Sequence, residues 1–305
     1  MNVLELQNVS MQFGAVEVLK DVSFSVSEGS IFGFLGKNGA GKTTTMKLIL
    51  GFLKPKAGTI FVCGEKVVYG ETKTNRLIGY LPDVPSFYGY MTPKEYLKLC
   101  GQVAGMPNKE IEEKSKEILH LVGLDGINRR IRGFSRGMKQ RLGIAQALIN
   151  EPKLLLCDEP TSALDPIGRK EILDLLIMLS RKTTIVFSTH ILNDVERICD
   201  RVCLLDQGEI LLEGKMEEVK RSFHKPEIEM TFPDEKLAKI CLDKLLLLPE
   251  VSKATLSNGS TITLLLNPGI KENTLLKWVV EEQFPIKRFE ILEPSLERVF
   301  LEVVR

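Results

Sequence analysis

The sequence has little charge imbalance, few cysteines and no long apolar run. Of its 305 residues, 41 are Lys or Arg and 40 are Asp or Glu, giving a formal net charge of +1. A chain so balanced is not built to neutralise a polyanion, which argues against nucleic acid as its partner. The six cysteines, at positions 63, 100, 157, 199, 203 and 241, show no C-x-x-C pairing and sit in apolar surroundings. Cys199 and Cys203 lack further ligand-type neighbours. The pattern excludes a disulfide framework and reads as reduced core thiols of a cytosolic protein. The first residues, MNVLELQNVSMQF, lack the basic-then-apolar pattern of a secretory signal. The leucine-rich stretch CLDKLLLLPEV is too short and too charged to cross a bilayer. The expectation is a soluble chain that reaches a membrane only through a partner.

What is present divides into two parts. Strand patterns open the chain in VLELQNVSMQF and LKDVSFSVSEG, where Phe24 and Val26 alternate with polar residues. The apolar SIFGFLG then runs into a glycine-rich loop, and KTTTMKLILGFL reads as a helix stopped near Gly51. Residues 92–149 change character and look helical. Thr92, Pro93 and Glu95 spell a capping box with proline at the first helical position, Asn108 is expected to cap a second helix, and Ser135 a third. Strand patterns return in KLLLCDEP, TTIVFSTH and RVCLLDQGEILLEG, with a helix around GRKEILDLLIMLSRK. This first domain is expected to span residues 1–220. Residues 221–305 follow a different order, β-α-β-β-α-β, which predicts a small α+β ferredoxin-like domain and a final helix in EPSLERVFLEVV. His224, Lys225 and Pro226 form the expected linker. The Leu-rich helix of this domain suits a core or an interface, and core is the commoner outcome.

The loop GKNGAGKT, residues 36–43, matches G-x-x-x-x-G-K-[ST] at every fixed position, with an apolar strand before it and a helix after it. Glycines let the backbone wrap closely enough to aim N–H groups at phosphate oxygens. The helix N-terminus adds its partial positive charge. Gly36, Lys37, Asn38, Gly39, Ala40, Gly41, Lys42, Thr43 and Thr44 are the candidate phosphate contacts. Lys42 reaches the outer phosphates, and the Thr43 hydroxyl suits Mg²⁺. The loop alone does not separate ATPase, GTPase and kinase.

Asp158 and Glu159 end an apolar strand, LLLCDEP. A parallel α/β sheet gathers its ligands at the carboxyl ends of its strands. There Asp158 is placed to hold Mg²⁺ through water and Glu159 to polarise an attacking water. Two adjacent acids favour hydrolysis of a γ-phosphate over its transfer. His190 ends a third strand, in FSTH, and is placed to meet the γ-phosphate and orient that water. Asp165, in TSALDP, suits the cap of the next helix. One segment is locally basic: RRIRGFSRGMKQRLGIAQALI has no acid among its first thirteen residues and six bases. It admits three readings: a nucleic-acid stripe, a solvated helix face, or half of an anion site. The neutral chain weakens the first.

In this order, the loop at 36–43, the turn Ser135-Arg136-Gly137-Met138, Asp158-Glu159, the turn at 162–165 and His190 resemble the nucleotide-binding subunit of an ATP-binding cassette (ABC) transporter. The resemblance covers residues 1–220. It implies a P-loop NTPase fold with a RecA-like core, an antiparallel β-subdomain and an α-helical subdomain. The part after 220, ending in EPSLERVFLEV, is similar to the C-terminal extension of ABC-2 exporter ATPases, the group of drug, bacitracin-type antibiotic and sodium extruders. The resemblance implies that Phe13 stacks on adenine, Asp165 communicates across a dimer, and His190 acts as a switch. It implies that Ser135 and Gly137 contact the γ-phosphate bound by a second copy, in a head-to-tail homodimer with two ATP sites. Asp83 stands where the family has a metal- and water-contacting glutamine, often glutamate in close relatives. Arg136 replaces the usual glycine, and ABC-2-like members often carry a basic residue there.

The implied function is ATP hydrolysis with Mg²⁺, energising export through a separate integral-membrane permease gripped by residues 84–149, at the cytoplasmic face of the membrane. ATP binding closes the dimer and hydrolysis reopens it. Catalysis falls to Glu159, His190 and Lys42, and the metal to Thr43, Asp83 and Asp158. The alternative is a soluble ABC ATPase acting on ribosomes or DNA. Against it stand a single cassette and only about fifty residues between Asp83 and Ser135, where the DNA-repair type inserts a long coiled coil. A phosphoryl transferase is disfavoured by the Asp-Glu pair and the Ser-Arg-Gly turn.

Overall fold

Alternating apolar residues at the amino end build a long hairpin, β1 (Asn2–Phe13) and β2 (Val16–Ser27). In this computed structural model, every residue is described except 72, 163, 224–226, 268, 293, 294 and 305. The pairing of the two strands continues through register shifts near Val9 and Met11. A continuous apolar run, IFGFL, forms the fully buried β3 (Ile31–Leu35), and α1 (Lys42–Ile49) follows the glycine-rich loop. The segment between Gly51 and Thr92, to which the sequence pattern assigns no element, holds β4 (Ala57–Val62), β5 (Glu65–Lys66) and β6 (Ile78–Leu81).

Three helices come next: α2 (Pro93–Val103), α3 (Asn108–Leu121) and α4 (Arg136–Leu148). The Thr92 capping box forms in full, with Thr92 Oγ1 accepting from the Glu95 backbone and Glu95 accepting from the Thr92 backbone. Asn108 does not cap α3. It is the first helical residue, behind Pro107 in the cap position, and its side chain accepts from Gln102 Nε2 at 3.3 Å. Proline carries no N–H and holds an extended backbone, so it ends the preceding turn without a side-chain cap.

The chain then alternates strand and helix: β7 (Leu154–Asp158), α5 (Pro166–Leu179), β8 (Thr184–Thr189), α6 (Leu192–Ile198), β9 (Arg201–Asp206), β10 (Glu209–Lys215) and α7 (Met216–Ser222). Asp165 caps α5, accepting from Gly168 N at 3.0 Å. These strands form two sheets. One is antiparallel, in the order β2-β1-β4-β5; the other is six-stranded, in the order β10-β9-β3-β8-β7-β6, parallel except for the β9–β10 pair. Helix connections on both faces account for the unbroken apolar runs of β3, β7 and β8, whose residues are all buried. Phe24 of β2 stacks on Phe32 and Phe34 of β3, each at 5.3 Å between ring centres, and so locks the antiparallel sheet to the strand that leads into the phosphate loop.

A second compact unit takes residues Glu217–Glu302, and the first takes Met1–Met216 and the residues from Val303 on. The boundary expected after residue 220 falls inside α7, and the expected linker at His224, Lys225 and Pro226 lies outside the described residues. The second unit contains β11 (Glu227–Thr231), α8 (Glu235–Leu245), β12 (Val251–Ser257), β13 (Thr261–Leu266), α9 (Glu272–Glu281), β14 (Arg288–Leu292) and α10 (Leu296–Val303). Its antiparallel sheet runs β12-β13-β11-β14, the ferredoxin-like order. Ile228, Met230, Ile262 and Leu264 form its core with Ala238, Cys241 and Leu245 of α8 and Leu275 and Val279 of α9. The leucine-rich stretch divides: Leu245 is fully buried, whereas Leu247 is 83% exposed.

The Thr92 cap sets how α2 enters the helical subdomain. Thr92→Ala is expected to cost about 1 kcal/mol of stability, read as a lower denaturant midpoint at unchanged slope.

Candidate active site

The parallel strands bring four sequence-distant segments to one edge. The phosphate loop follows β3, Asp83 lies two residues past β6, Asp158 ends β7 with Glu159 next, and His190 immediately follows β8. In a parallel sheet all of these are carboxyl ends, where helix N-termini and loop N–H groups converge.

Gly41 holds the loop in shape. Its φ of +114° is closed to side-chain-bearing residues, and a Cβ there would sit 2.6 Å from Leu19 Cδ2. No side chain caps α1 and no acid lies in its first turn, so its first N–H groups face outward without a built-in acceptor. Ala40 N donates to Lys37 O at 3.1 Å and closes the turn. Lys37, Asn38 and Gly39 are exposed, and Thr44 is half-buried. Lys42 is 6% exposed, and its ammonium donates to Gly36 O at 2.7 Å and Lys37 O at 3.2 Å.

The ammonium also lies 3.3 Å from Glu159 Oε1. That oxygen is buried and has no aligned hydrogen-bond donor, so the contact is an ion pair without a hydrogen bond. The other oxygen, Oε2, accepts from Thr189 Oγ1 at 3.1 Å and lies 3.0 Å from His190 Nδ1. Glu159 occupies the left-handed region, φ +49°, with its N–H bonded to Ser188 O at 2.8 Å. A non-glycine residue held there is strained, and the β8 contacts keep it there. Asp158 is 2% exposed and accepts from Thr43 Oγ1 at 2.8 Å and Ser188 Oγ at 3.2 Å. Burial pushes its carboxyl above the usual range, against the two hydrogen bonds and Lys42, which favour the charged form; the Glu159 charge adds to the rise.

Lys42, Thr43, Asp158, Glu159 and His190 therefore form one cluster. The other candidates stand apart from it. Asp83 Oδ1 accepts from Ser162 Oγ at 2.5 Å, and its backbone carbonyl accepts from Gln140 Nε2 at 3.1 Å, so its carboxylate is not on the Thr43–Asp158 pair. Phe13 is 47% exposed at the tip of the β1–β2 hairpin. Ser135 caps α4, accepting from Met138 N at 3.2 Å. Gly137 has no close neighbour: a Cβ there would meet only Leu164 Cδ2, at 4.0 Å. Arg136 is exposed, and its side chain makes no hydrogen bond or ion pair among the described residues. Arg129 instead packs over the Phe134 ring, 5.5 Å from its centre.

Sequence reading missed several supporting groups. Ser188 and Thr189 stand immediately before His190 and bond both acids, a role their adjacency to the histidine hinted at. Thr161 and Asp194 pair at 2.7 Å while buried, joining the segment after Glu159 to α6. Tyr80 of β6 is pushed up to about 12 by burial, with the Asp158 and Asp83 charges adding to it. No sequence pattern places Tyr80 beside those acids, because β6 reaches them only through sheet pairing with β7.

A strand, a phosphate loop and a helix, with an acidic pair on a neighbouring parallel strand, define a P-loop nucleoside-triphosphatase. Comparison with known proteins supplies the family. The ABC transporter family matches residues 19–162, and the C-terminal domain of DrrA1-3-like ATP-binding proteins matches residues 214–304. The ABC transporter ATP-binding protein YxlF of Bacillus subtilis (strain 168) is 40% identical over 99% of both chains. The bacitracin transport ATP-binding protein BcrA of Bacillus licheniformis is 33% identical over 99% of this chain and 97% of its own. CbiO1 of Clostridium perfringens, part of the ABC transporter complex CbiONQ, superposes with a TM-score of 0.67 at 28% identity over 72% of this chain and 90% of its own.

The chain belongs to the ABC transporter family, as an ATP-binding and ATP-hydrolysing subunit of the exporter type. The fold class predicted for both parts agrees with these likenesses, and the ribosome- or DNA-directed alternative is not favoured by them. Among the described residues, no helix is long and apolar enough to cross a membrane.

The raised Asp158 carboxyl carries a stability consequence. A folded-state value above the unfolded one means that the charged form opposes folding: stability is greatest in acid and is lost as pH rises through the folded value. Asp158→Asn is therefore expected to raise the melting temperature of the nucleotide-free protein at pH 7, with the difference shrinking as pH falls into the ordinary carboxylate range. A lower melting temperature for the variant at pH 7 would contradict the burial argument.

Proposed function

We propose that two copies of this chain pair head to tail and hydrolyse ATP at two shared sites, driving an integral-membrane permease from its cytoplasmic face. The observation that carries the reading is the Lys42–Glu159–His190 cluster beside an uncapped helix N-terminus. The N–H groups of residues 39–44 and the Lys42 ammonium suit a triphosphate, and Phe13 offers an exposed ring to adenine.

The Thr43 hydroxyl and Asp158 carboxylate are the hard oxygen donors that Mg²⁺ takes, and a cation beside them would relieve the buried charge of Asp158. Among the described residues, no group of three or more His, Cys, Asp or Glu side chains is placed to hold a metal, which fits an ion held by few protein donors together with phosphates. When bound, Mg²⁺ neutralises charge on the phosphates. The chain's own residues do the rest. Glu159, held by Thr189 and His190, orients and deprotonates the attacking water. His190 positions that carboxylate and donates toward the γ-phosphate. Lys42 leaves its own loop carbonyls for phosphate oxygens.

Gly137 supports the paired arrangement. Neither backbone conformation nor space within the chain requires glycine there, whereas a phosphate approaching the start of α4 from a second copy does. Asp165 lies in the segment that would meet the partner. The relative BcrA, named for bacitracin transport, and a relative named for Nod factor export, 35% identical over 71% of this chain, support export through a permease gripped by residues 84–149.

Glu159→Gln is expected to bind ATP, to lose about 100-fold or more in kcat, and to run as a stable dimer with ATP in size-exclusion chromatography. Near-normal turnover removes Glu159 from the role of base, and a monomer in saturating ATP counts against the shared site. Lys42→Ala is expected to weaken ATP binding about tenfold, measured by calorimetry. Unchanged affinity contradicts the assignment of the loop.

A further inference from the structure

Asp83 stands at the position where a metal contact is expected, yet its carboxylate is engaged elsewhere. It accepts the Ser162 hydroxyl at 2.5 Å, and its main-chain carbonyl takes the side-chain amide of Gln140, which is 1% exposed on α4. Ser162 lies three residues after Glu159, and Ser162 N donates to Glu159 O at 3.0 Å, so the two are ends of one turn. That turn is held from its other side as well. Thr161, fully buried, donates to Asp194 Oδ2 at 2.7 Å on α6, the helix that follows His190. Adjacent hydroxyls thus tie the turn to two carboxylates on two different elements. The turn starts at Glu159 in a left-handed conformation that its surroundings must enforce.

We infer that Asp83 is a positioning residue: through Ser162 it fixes the turn that presents Glu159, and through Gln140 it ties that turn to α4, the helix that begins at Ser135. The direction of the hydrogen bond gives the reason. A carboxylate accepting a hydroxyl proton at this distance makes a charge-assisted bond, stronger than a neutral one and directional enough to select one rotamer of Ser162. Movement of α4 relative to β6 would carry the Asp83 backbone with it and would pull on Ser162. The start of α4 and the catalytic carboxylate are thereby joined by three side chains without passing through the phosphate loop. Aspartate suits this task better than a longer side chain, because the reach from the loop after β6 to Ser162 is short.

The inference rests on Glu159 as the hydrolytic carboxylate for its kinetic consequence, but not for the coupling itself. Four substitutions test it: Asp83→Ala, Asp83→Asn, Ser162→Ala and Ser162→Thr, with the Asp83→Ala/Ser162→Ala double variant. Two readouts do not depend on turnover. The first is amide hydrogen exchange of residues 159–165 in the nucleotide-free protein, and the second is Mn²⁺ affinity in the presence of ATP, measured by electron paramagnetic resonance. Asp83→Ala and Ser162→Ala are expected to raise exchange in that segment alike, to lower kcat about tenfold, and to change KM for ATP less than twofold. The double variant is expected to be no worse than either single one, because one interaction is lost in all three. Ser162→Thr, which keeps a hydroxyl, and Asp83→Asn, which keeps an acceptor oxygen, are expected to recover most of the rate and of the protection. Mn²⁺ affinity is expected to stay within twofold of the parent in every variant.

Weakened Mn²⁺ binding in Asp83→Asn together with a near-parental Ser162→Ala would overturn the inference and make Asp83 a metal contact. Additive losses in the double variant would also overturn it. Raised exchange with unchanged kcat would leave the pairing intact and count against Glu159 as the residue it positions, so the two readings fail separately.

Discussion

The ammonium of Lys42 is the interaction on which the site depends. It sits almost fully buried between two carbonyls of its own loop and the carboxylate of Glu159. A buried charge of this kind persists only with partners around it, and removing one partner of such a pair typically costs about 3 kcal/mol or more. The one cation of Lys42 therefore ties the loop to the strand end that carries Glu159, and Glu159 in turn meets His190 beyond β8. That cation is also the group best placed to move to a phosphate, because a triphosphate oxygen offers the same kind of acceptor with more charge.

Around this centre the structure spends hydroxyls rather than further charges. Thr43 and Ser188 bond Asp158, Thr189 bonds Glu159, Thr161 bonds Asp194, and Ser162 bonds Asp83. Each hydroxyl satisfies a carboxylate without neutralising it, so the edge of the sheet keeps negative groups that suit a cation and a water. A hydroxyl is also short, and it ties one backbone to another at close range.

Much of this was legible in the sequence, for identifiable reasons. The phosphate loop, the Asp-Glu pair and the histidine each follow an apolar strand run, and in a parallel sheet such runs end at the same edge. Local patterns also gave the Thr92 capping box and the Asp165 cap, because both are set within four residues. The prediction failed at Asn108, where proline one residue earlier ends the turn by its own geometry. It assigned nothing between Gly51 and Thr92, because β4, β5 and β6 are short and take their stability from strands far away in sequence.

The sequence by itself singled out the loop proposed to cradle phosphate, the acids and histidine proposed to act on it, and a two-part organisation. It did so because each motif is local and its spacing reports the element that carries it. Only the tertiary structure decided which of those groups touch. It placed Lys42 on Glu159 and turned Asp83 away from the Thr43–Asp158 pair toward Ser162. It also brought Tyr80 beside two acids and left Gly137 without a neighbour of its own. Those outcomes depend on sheet register and on contacts between segments scores of residues apart, which no local pattern encodes.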